Sequence, residues 1–135
     1  MCQIFISADP DLYRCRSRSL RLHGAATSIR LENLFWNILT EIGARDGMSV
    51  AQLITRLYDE LAEAGSDGTN FTSFLRVCCG RYLALQLAGG IPADRGIPIR
   101  TLDPEYVLAC ETGNQRSDRV PPAKPIARQR DRQAV

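Results

Sequence analysis

Thr27-Ser28-Ile29-Arg30-Leu31-Glu32 is the stretch that decides the fold, because it alternates apolar and polar side chains and runs straight into two amphipathic helices. Thr27, Ile29 and Leu31 share one face and Ser28, Arg30 and Glu32 the other, the period of two of a half-buried strand. No partner for this strand is evident nearby in the sequence, and a lone strand leaves a row of backbone donors and acceptors open. The expected partner is therefore the same strand of a second copy. The product would be a two-stranded antiparallel ribbon with Ser28 and Arg30 of both subunits on its polar face. Such a ribbon is narrow enough for the major groove of B-DNA, where an arginine can donate to guanine O6 and N7. Ser28 and Arg30 are the expected base contacts.

The first helix starts at Glu32 or Asn33 and repeats Phe35, Ile38, Leu39 and Ile42 at helical spacing. Asp46-Gly47 closes it, and Ser49 with Gln52 forms a capping box for the next helix. There Val50, Leu53, Ile54, Leu57, Tyr58 and Leu61 form a stripe broad enough to need a partner, which a second subunit would supply. The free amides and positive dipole end at Ser49 and Val50 suit a DNA phosphate. After a loop around Gly65-Ser66-Asp67-Gly68, Asn70 or Thr72 can cap a third helix running to about Leu87. Its apolar set is Phe71, Phe74, Leu75, Cys78, Tyr82 and Leu85. Trp36, Phe74 and Tyr82 are read as core rather than as a ligand pocket. Gly80 is either a weak point or a close-packing point.

Ser19-Leu20-Arg21-Leu22-His23-Gly24, the strand above, Phe35-Trp36, Gly47-Met48-Ser49 and Phe74-Leu75-Arg76, taken in that order, resemble the ribbon-helix-helix repressors of the Arc and methionine-repressor-like superfamily. Within them they are similar to the small bacterial ribbon-helix-helix domain proteins, over about Arg18 to Gln86. The resemblance implies a mainly α fold with one short β-strand: an intertwined dimer with a two-stranded antiparallel intersubunit ribbon, plus an additional C-terminal helix. It also implies a sequence-specific DNA-binding transcriptional regulator, acting as a repressor, with phosphate contacts at the second helix and no catalytic activity. Ala25-Ala26 departs from the basic or polar pair expected there and leaves fewer side chains that can reach into the groove.

The charges are unevenly spread. Residues 14 to 30 carry five arginines (Arg14, Arg16, Arg18, Arg21, Arg30) and no acid, whereas residues 33 to 88 carry four basic and six acidic residues, and residues 115 to 135 six basic and two acidic. A basic ribbon on a mildly acidic body is an electrostatic footprint for phosphate, and Arg18 and Arg21 are the expected backbone contacts. Five cysteines without a C-x-x-C spacing and a single histidine, His23, give no metal set, so neither metal nor cofactor is expected. Cys78 and Cys79 read as core thiols. No nucleophile-base pair, carboxylate pair or phosphate-cradling glycine loop is spelled out. The apolar start at Ile4-Phe5-Ile6 is too short, and lacks the basic leader, for a secretory signal, so a cytoplasmic location is expected. Those three residues could form a short strand.

The organisation expected is an N-terminal extension (1–17), a ribbon-helix-helix domain with a third helix (18–88), and a mostly disordered basic C-terminal tail (89–135) rich in Gly and Pro. Within the tail Asp103-Pro104 could start one or two helical turns with nothing to pack against. Double-stranded DNA and a second copy are the expected partners, with a tetramer on DNA as a further option. The alternative is an antitoxin-like or adaptor module that dimerises through the ribbon-helix-helix part and binds a protein partner with the tail.

Overall fold

The structure, a computed structural model, describes residues 1–117, with side chains to residue 112. In chain order it comprises α1 (Cys2–Ile6), a 3-10 turn (Pro10–Tyr13), β1 (Cys15–Leu22), β2 (Ala25–Glu32), α2 (Asn33–Arg45), α3 (Val50–Glu63), α4 (Phe71–Leu87), a second 3-10 turn (Ile99–Thr101) and α5 (Pro104–Ser117). Ile4-Phe5-Ile6 is part of a helix of little more than one turn, not a strand.

The single strand anticipated from the alternation is half of a hairpin. β1 pairs antiparallel with β2 in one register from Cys15↔Glu32 to Leu22↔Ala25, so the ribbon partner comes from the same chain instead of a second copy. Residues 15–17, expected in an N-terminal extension, belong to this hairpin. The connection is the two-residue turn His23-Gly24, with φ of 49° and 77°; positive φ at both central positions is the requirement of the hairpin turn whose twist matches the strands. His is among the few non-glycine residues enriched at positive φ, and the His23 ring is engaged: it lies 5.1 Å from the Tyr58 ring, with Nε2 3.1 Å from Oδ1 of Asp59. The tip of the hairpin is thereby tied to α3.

The apolar face of β2 is as the alternation predicts. Leu22, Ile29 and Leu31 join Trp36, Leu39, Leu53, Ile54, Phe71, Leu75 and Cys79 in one buried cluster between the hairpin and α2, α3 and α4. The α3 stripe therefore meets its own chain, with Tyr58 edge-on to Phe71 at 5.1 Å, where a second subunit had seemed necessary. The capping box at Ser49 is complete: the Gln52 amide donates to Ser49 Oγ (3.2 Å) and the Ser49 amide to Gln52 Oε1 (2.9 Å). Gly47 takes φ of 69° after α2. Gly43, one turn earlier, faces the loop so closely that a Cβ would lie 2.9 Å from the Met48 carbonyl oxygen. Trp36 and Tyr82 are core residues, as expected, and Cys79 is fully buried, with burial pushing its thiol up to about 12.

Residues 89–112, expected to be disordered, are instead held against the helices. Arg45, 5% exposed, is the anchor. Its guanidinium donates to the carbonyls of Pro92 (2.9 Å), Asp94 (3.0 Å) and Ile97 (3.0 Å) and to the Tyr82 hydroxyl (3.2 Å). A buried arginine is tolerated only when its donors are satisfied, and here backbone oxygens do that without a carboxylate at any of these four contacts. Ile91, Ile99, Leu102 and Val107 then form a second apolar cluster with Tyr82 and Leu85. α5 extends well beyond the one or two turns expected, its start capped by Asp103, whose carboxylate accepts from the Glu105 amide (3.1 Å). The tail residues 118–135 lie outside the described residues. No helix among the described residues is long and apolar enough to cross a membrane.

Arg45→Met keeps the packing volume but strips the donors from three carbonyls that are partly open to water. The expected cost is about 2 kcal/mol in urea unfolding, with faster amide exchange over 91–99. Unchanged exchange there would show that the guanidinium does not hold the segment.

Candidate nucleic-acid interface

The hairpin register puts side chains from both strands on one outward face. Ser17 lies opposite Arg30, Ser19 opposite Ser28, and Arg21 opposite Ala26; residues directly opposite in an antiparallel pair point to the same side. All six are exposed. Ser28 and Arg30 thus have three neighbours that the strand pattern of β2 alone did not reveal: Ser17, Ser19 and Arg21. The signal that could have found them is the alternation Arg16-Ser17-Arg18-Ser19-Leu20-Arg21-Leu22, which has the period of two but carries arginines where an inner face normally carries apolar residues.

Arg18 sits elsewhere. It pairs with Ile29 on the inner side of the hairpin, and its guanidinium carbon lies 5.1 Å from the centre of the Trp36 ring. Stacking on an indole face favours a cation electrostatically. The same indole donates its N–H to the Arg16 carbonyl at 2.9 Å. Arg18 is therefore not on the face that carries Ser28 and Arg30, while Arg21 is.

Arg21 also borders the start of α3. A shallow groove of about 380 Å³ is lined by Leu20, Arg21, Ala51, Gln52, Thr55, Arg56 and Asp59, so the outer face of β1 and the first turns of α3 share one side of the molecule. At that helix start the Ser49 amide is already used by Gln52. Val50 and Ala51 offer the next backbone N–H groups, since the first turn of a helix lacks intrahelical partners. The Val50 side chain itself is buried, so only its backbone is available there.

Electrostatically the ribbon is free to attract anions. Among the described residues Arg16, Arg18, Arg21 and Arg30 make no ion pair, whereas the acid at the ribbon's end, Glu32, is gripped by Arg76 through Nε to Oε2 (3.0 Å) and Nη2 to Oε1 (3.2 Å). Hydrogen bonding to Arg76 holds the Glu32 carboxyl below its ordinary value. Past Glu32 the ladder continues, with the Asn33 amide donating to the Arg14 carbonyl at 2.9 Å. By the alternation of antiparallel bonding, the backbone groups of Ala26, Ser28 and Arg30 then point away from β1. That free edge borders a groove of about 390 Å³ between β2 and the first turn of α4. Among the described residues no group of three or more His, Cys, Asp or Glu is placed to hold a metal ion.

A carboxyl held low stabilises the fold above the ordinary carboxylate range and loses that contribution as pH falls through the lowered value. Glu32→Gln should therefore cost at most about 1 kcal/mol at neutral pH, because the pair is partly exposed, and the gap to wild type should close in acid, as pH falls through the lowered value. Urea midpoints at the two pH values measure it; a gap that persists in acid would mean that the side chain acts by shape alone.

Comparison with known proteins agrees with this architecture. A solved structure described as an uncharacterized protein from Bordetella pertussis Tohama I superposes with a TM-score of 0.78 at 62% identity, over 80% of this chain and 86% of that one. Among curated proteins nothing matches. The family model for the ribbon-helix-helix domain matches residues 15–83, from the first residue of β1 into α4, and the chain accordingly belongs to the ribbon-helix-helix domain family.

Proposed function

We propose that the protein is a sequence-specific DNA-binding transcriptional regulator of the cytoplasm, a repressor, that lays the outer face of its hairpin in the major groove as a homodimer. The observation that carries this reading is the hairpin face itself: Ser17, Ser19, Arg21, Ser28 and Arg30 exposed together, with Arg21 and Arg30 outside every ion pair among the described residues. Two strands about 5 Å apart fit a groove about 12 Å wide. Ser28 and Arg30 contact base edges, joined by Ser17 and Ser19. Arg21 and the Val50 and Ala51 amides contact phosphate, with the Ser49 hydroxyl beside them. Arg18 contributes indirectly, by holding β1 on Trp36, and its charge adds to the local field. Ala26 opposite Arg21 leaves the tip of the ribbon smooth, which concentrates base reading in the middle of the hairpin. A second copy doubles the contact, and the free edge of β2 gives its hairpin a place to pair.

Selection of binding sites from a random duplex pool at near-physiological salt, with the wild-type chain and Arg30→Ala in parallel, tests the reading. The wild type should enrich a short palindrome, and Arg30→Ala should lose preference at the positions read by that side chain, at roughly 1–3 kcal/mol per guanine contact, with unfolding unaffected because the residue is exposed. Enrichment of nothing, with binding that vanishes as salt rises, would leave only phosphate attraction and would sink sequence reading by the hairpin.

A further inference from the structure

The tip of the hairpin carries the one histidine of the chain, and it faces an acid that also lines the groove between β1 and α3. His23 Nε2 lies 3.1 Å from Oδ1 of Asp59, and Asp59 shares that groove with Arg21 of β1 and Arg56 of α3. Arg21 makes no ion pair among the described residues. Arg56 is held by Glu60 through a contact of 3.4 Å between largely exposed side chains, a pairing too weak to keep it from a better anion. Two guanidinium groups thus stand beside two carboxylates, Asp59 and Glu60. The local charge is balanced while the imidazole is neutral and turns positive once it is protonated. Around the imidazole, α3 presents Asp59 and the Tyr58 ring, with Arg56, Glu60 and Glu63 along the same helix, and β1 presents Arg21. β2 brings only Ala25 and Ala26 to this end. The loop before α4 comes close to Tyr58 at Gly68, and its Asp67 is occupied by the Thr69 amide at 2.8 Å.

Resting on the reading of the hairpin face as a DNA-binding surface, we infer that this groove is a proton-linked phosphate site: Arg21 and Arg56 take a DNA backbone phosphate between them, and protonation of His23 admits it by neutralising Asp59. Histidine is the side chain whose charge ordinarily changes between about pH 5 and 8. A phosphate entering beside Asp59 meets a like charge, and an imidazolium on that carboxylate removes the repulsion. Linkage fixes the sign. A phosphate that binds the protonated form better must itself favour proton uptake, so binding tightens as pH falls. Position makes DNA the source of the phosphate. The groove opens on the side of the molecule that carries the outer face of β1 and the first turns of α3, and Arg56 stands one turn beyond Gln52, which lines the same groove. It is shallow, so it suits one phosphate of a polymer lying across it. Since β2 starts with Ala25-Ala26, His23 is the only side chain of the tip that can change charge in this way.

The test is the affinity of the full chain for a labelled random-sequence duplex at about pH 6 and about pH 8, inside and above the histidine range, beside three variants. The wild type should bind roughly two- to fivefold more tightly at the lower pH, the scale of one exposed charge pair. His23→Asn should lose that dependence while keeping the turn, since asparagine before glycine suits positive φ at both positions. Asp59→Asn should lose it too, binding at the higher pH as the wild type does at the lower. Arg56→Gln should weaken binding at both values and reduce the slope of log affinity against log salt by about one. Equal wild-type affinity at both pH values, or a dependence that survives in His23→Asn, overturns the proton link. Wild-type affinity and salt slope in Arg56→Gln overturn the site. Either result leaves base reading by the hairpin standing, whereas the expected responses without enrichment of any palindrome would count against base reading alone. A wild type that binds no duplex at any salt overturns both.

Discussion

The hairpin stays on the helices because of Trp36. Its side chain is 1% exposed, its indole N–H holds the Arg16 carbonyl, and the Arg18 guanidinium lies over its ring. Burying a tryptophan is worth roughly 4–6 kcal/mol as an upper bound on area grounds. That matters more here than in an ordinary sheet, since half of the inner positions of β1 are arginines, which bring little apolar area of their own. Without a flat aromatic surface to cover, Arg18 would favour solvent, and β1 would have only Leu20, Leu22 and its ladder with β2 to hold it. An isolated two-stranded hairpin is marginal in water. Everything on the outer face, including the opposition of Ser17 to Arg30 and Ser19 to Ser28, follows from β1 being fixed in that register.

The distribution of ion pairs complements this arrangement. At the end of the ribbon and on the helical body five acids have nearby partners: Glu32 with Arg76, Glu41 with Arg95, Glu60 with Arg56, Glu111 with Arg81, and Asp59 beside His23. These contacts are partly or largely exposed and contribute little to stability one by one. Their larger effect is on the field. The paired groups of the body cancel at short range, while among the described residues Arg16, Arg18, Arg21 and Arg30 are left without acidic partners, so positive charge is concentrated on the ribbon. A Debye length of about 8 Å at physiological salt makes such a concentrated source effective where charge spread over the whole surface would not be.

Much of this was legible in the sequence, and the parts that were not share a cause. β2, α2, α3 and α4 follow from periodicity, and the capping box and Gly47 fix the α2–α3 hinge to the residue. β1 escaped because Arg16 and Arg18 occupy inner positions, and only a residue twenty positions away, Trp36, makes that acceptable. The ordered run after α4 escaped for a similar reason. Its glycines and prolines read as disorder, and Arg45 read as one more surface charge. The guanidinium in fact supplies donors to three carbonyls of that run, a substitute for secondary structure that no local pattern encodes. Arg18 was misplaced for want of the register: on an unpaired strand it is one of several ribbon arginines, and only pairing with Ile29 shows that it faces inward.

The hairpin also changes what a second copy has to do. A lone strand would need a partner chain to complete its ladder, which makes folding and association one event. Here β1 satisfies one edge of β2 within the chain, and the α3 stripe is largely covered by the hairpin, α2 and α4. What a second copy can still supply is pairing at the free edge of β2. That pairing is not needed to close the hairpin ladder, which β1 and β2 complete within one chain.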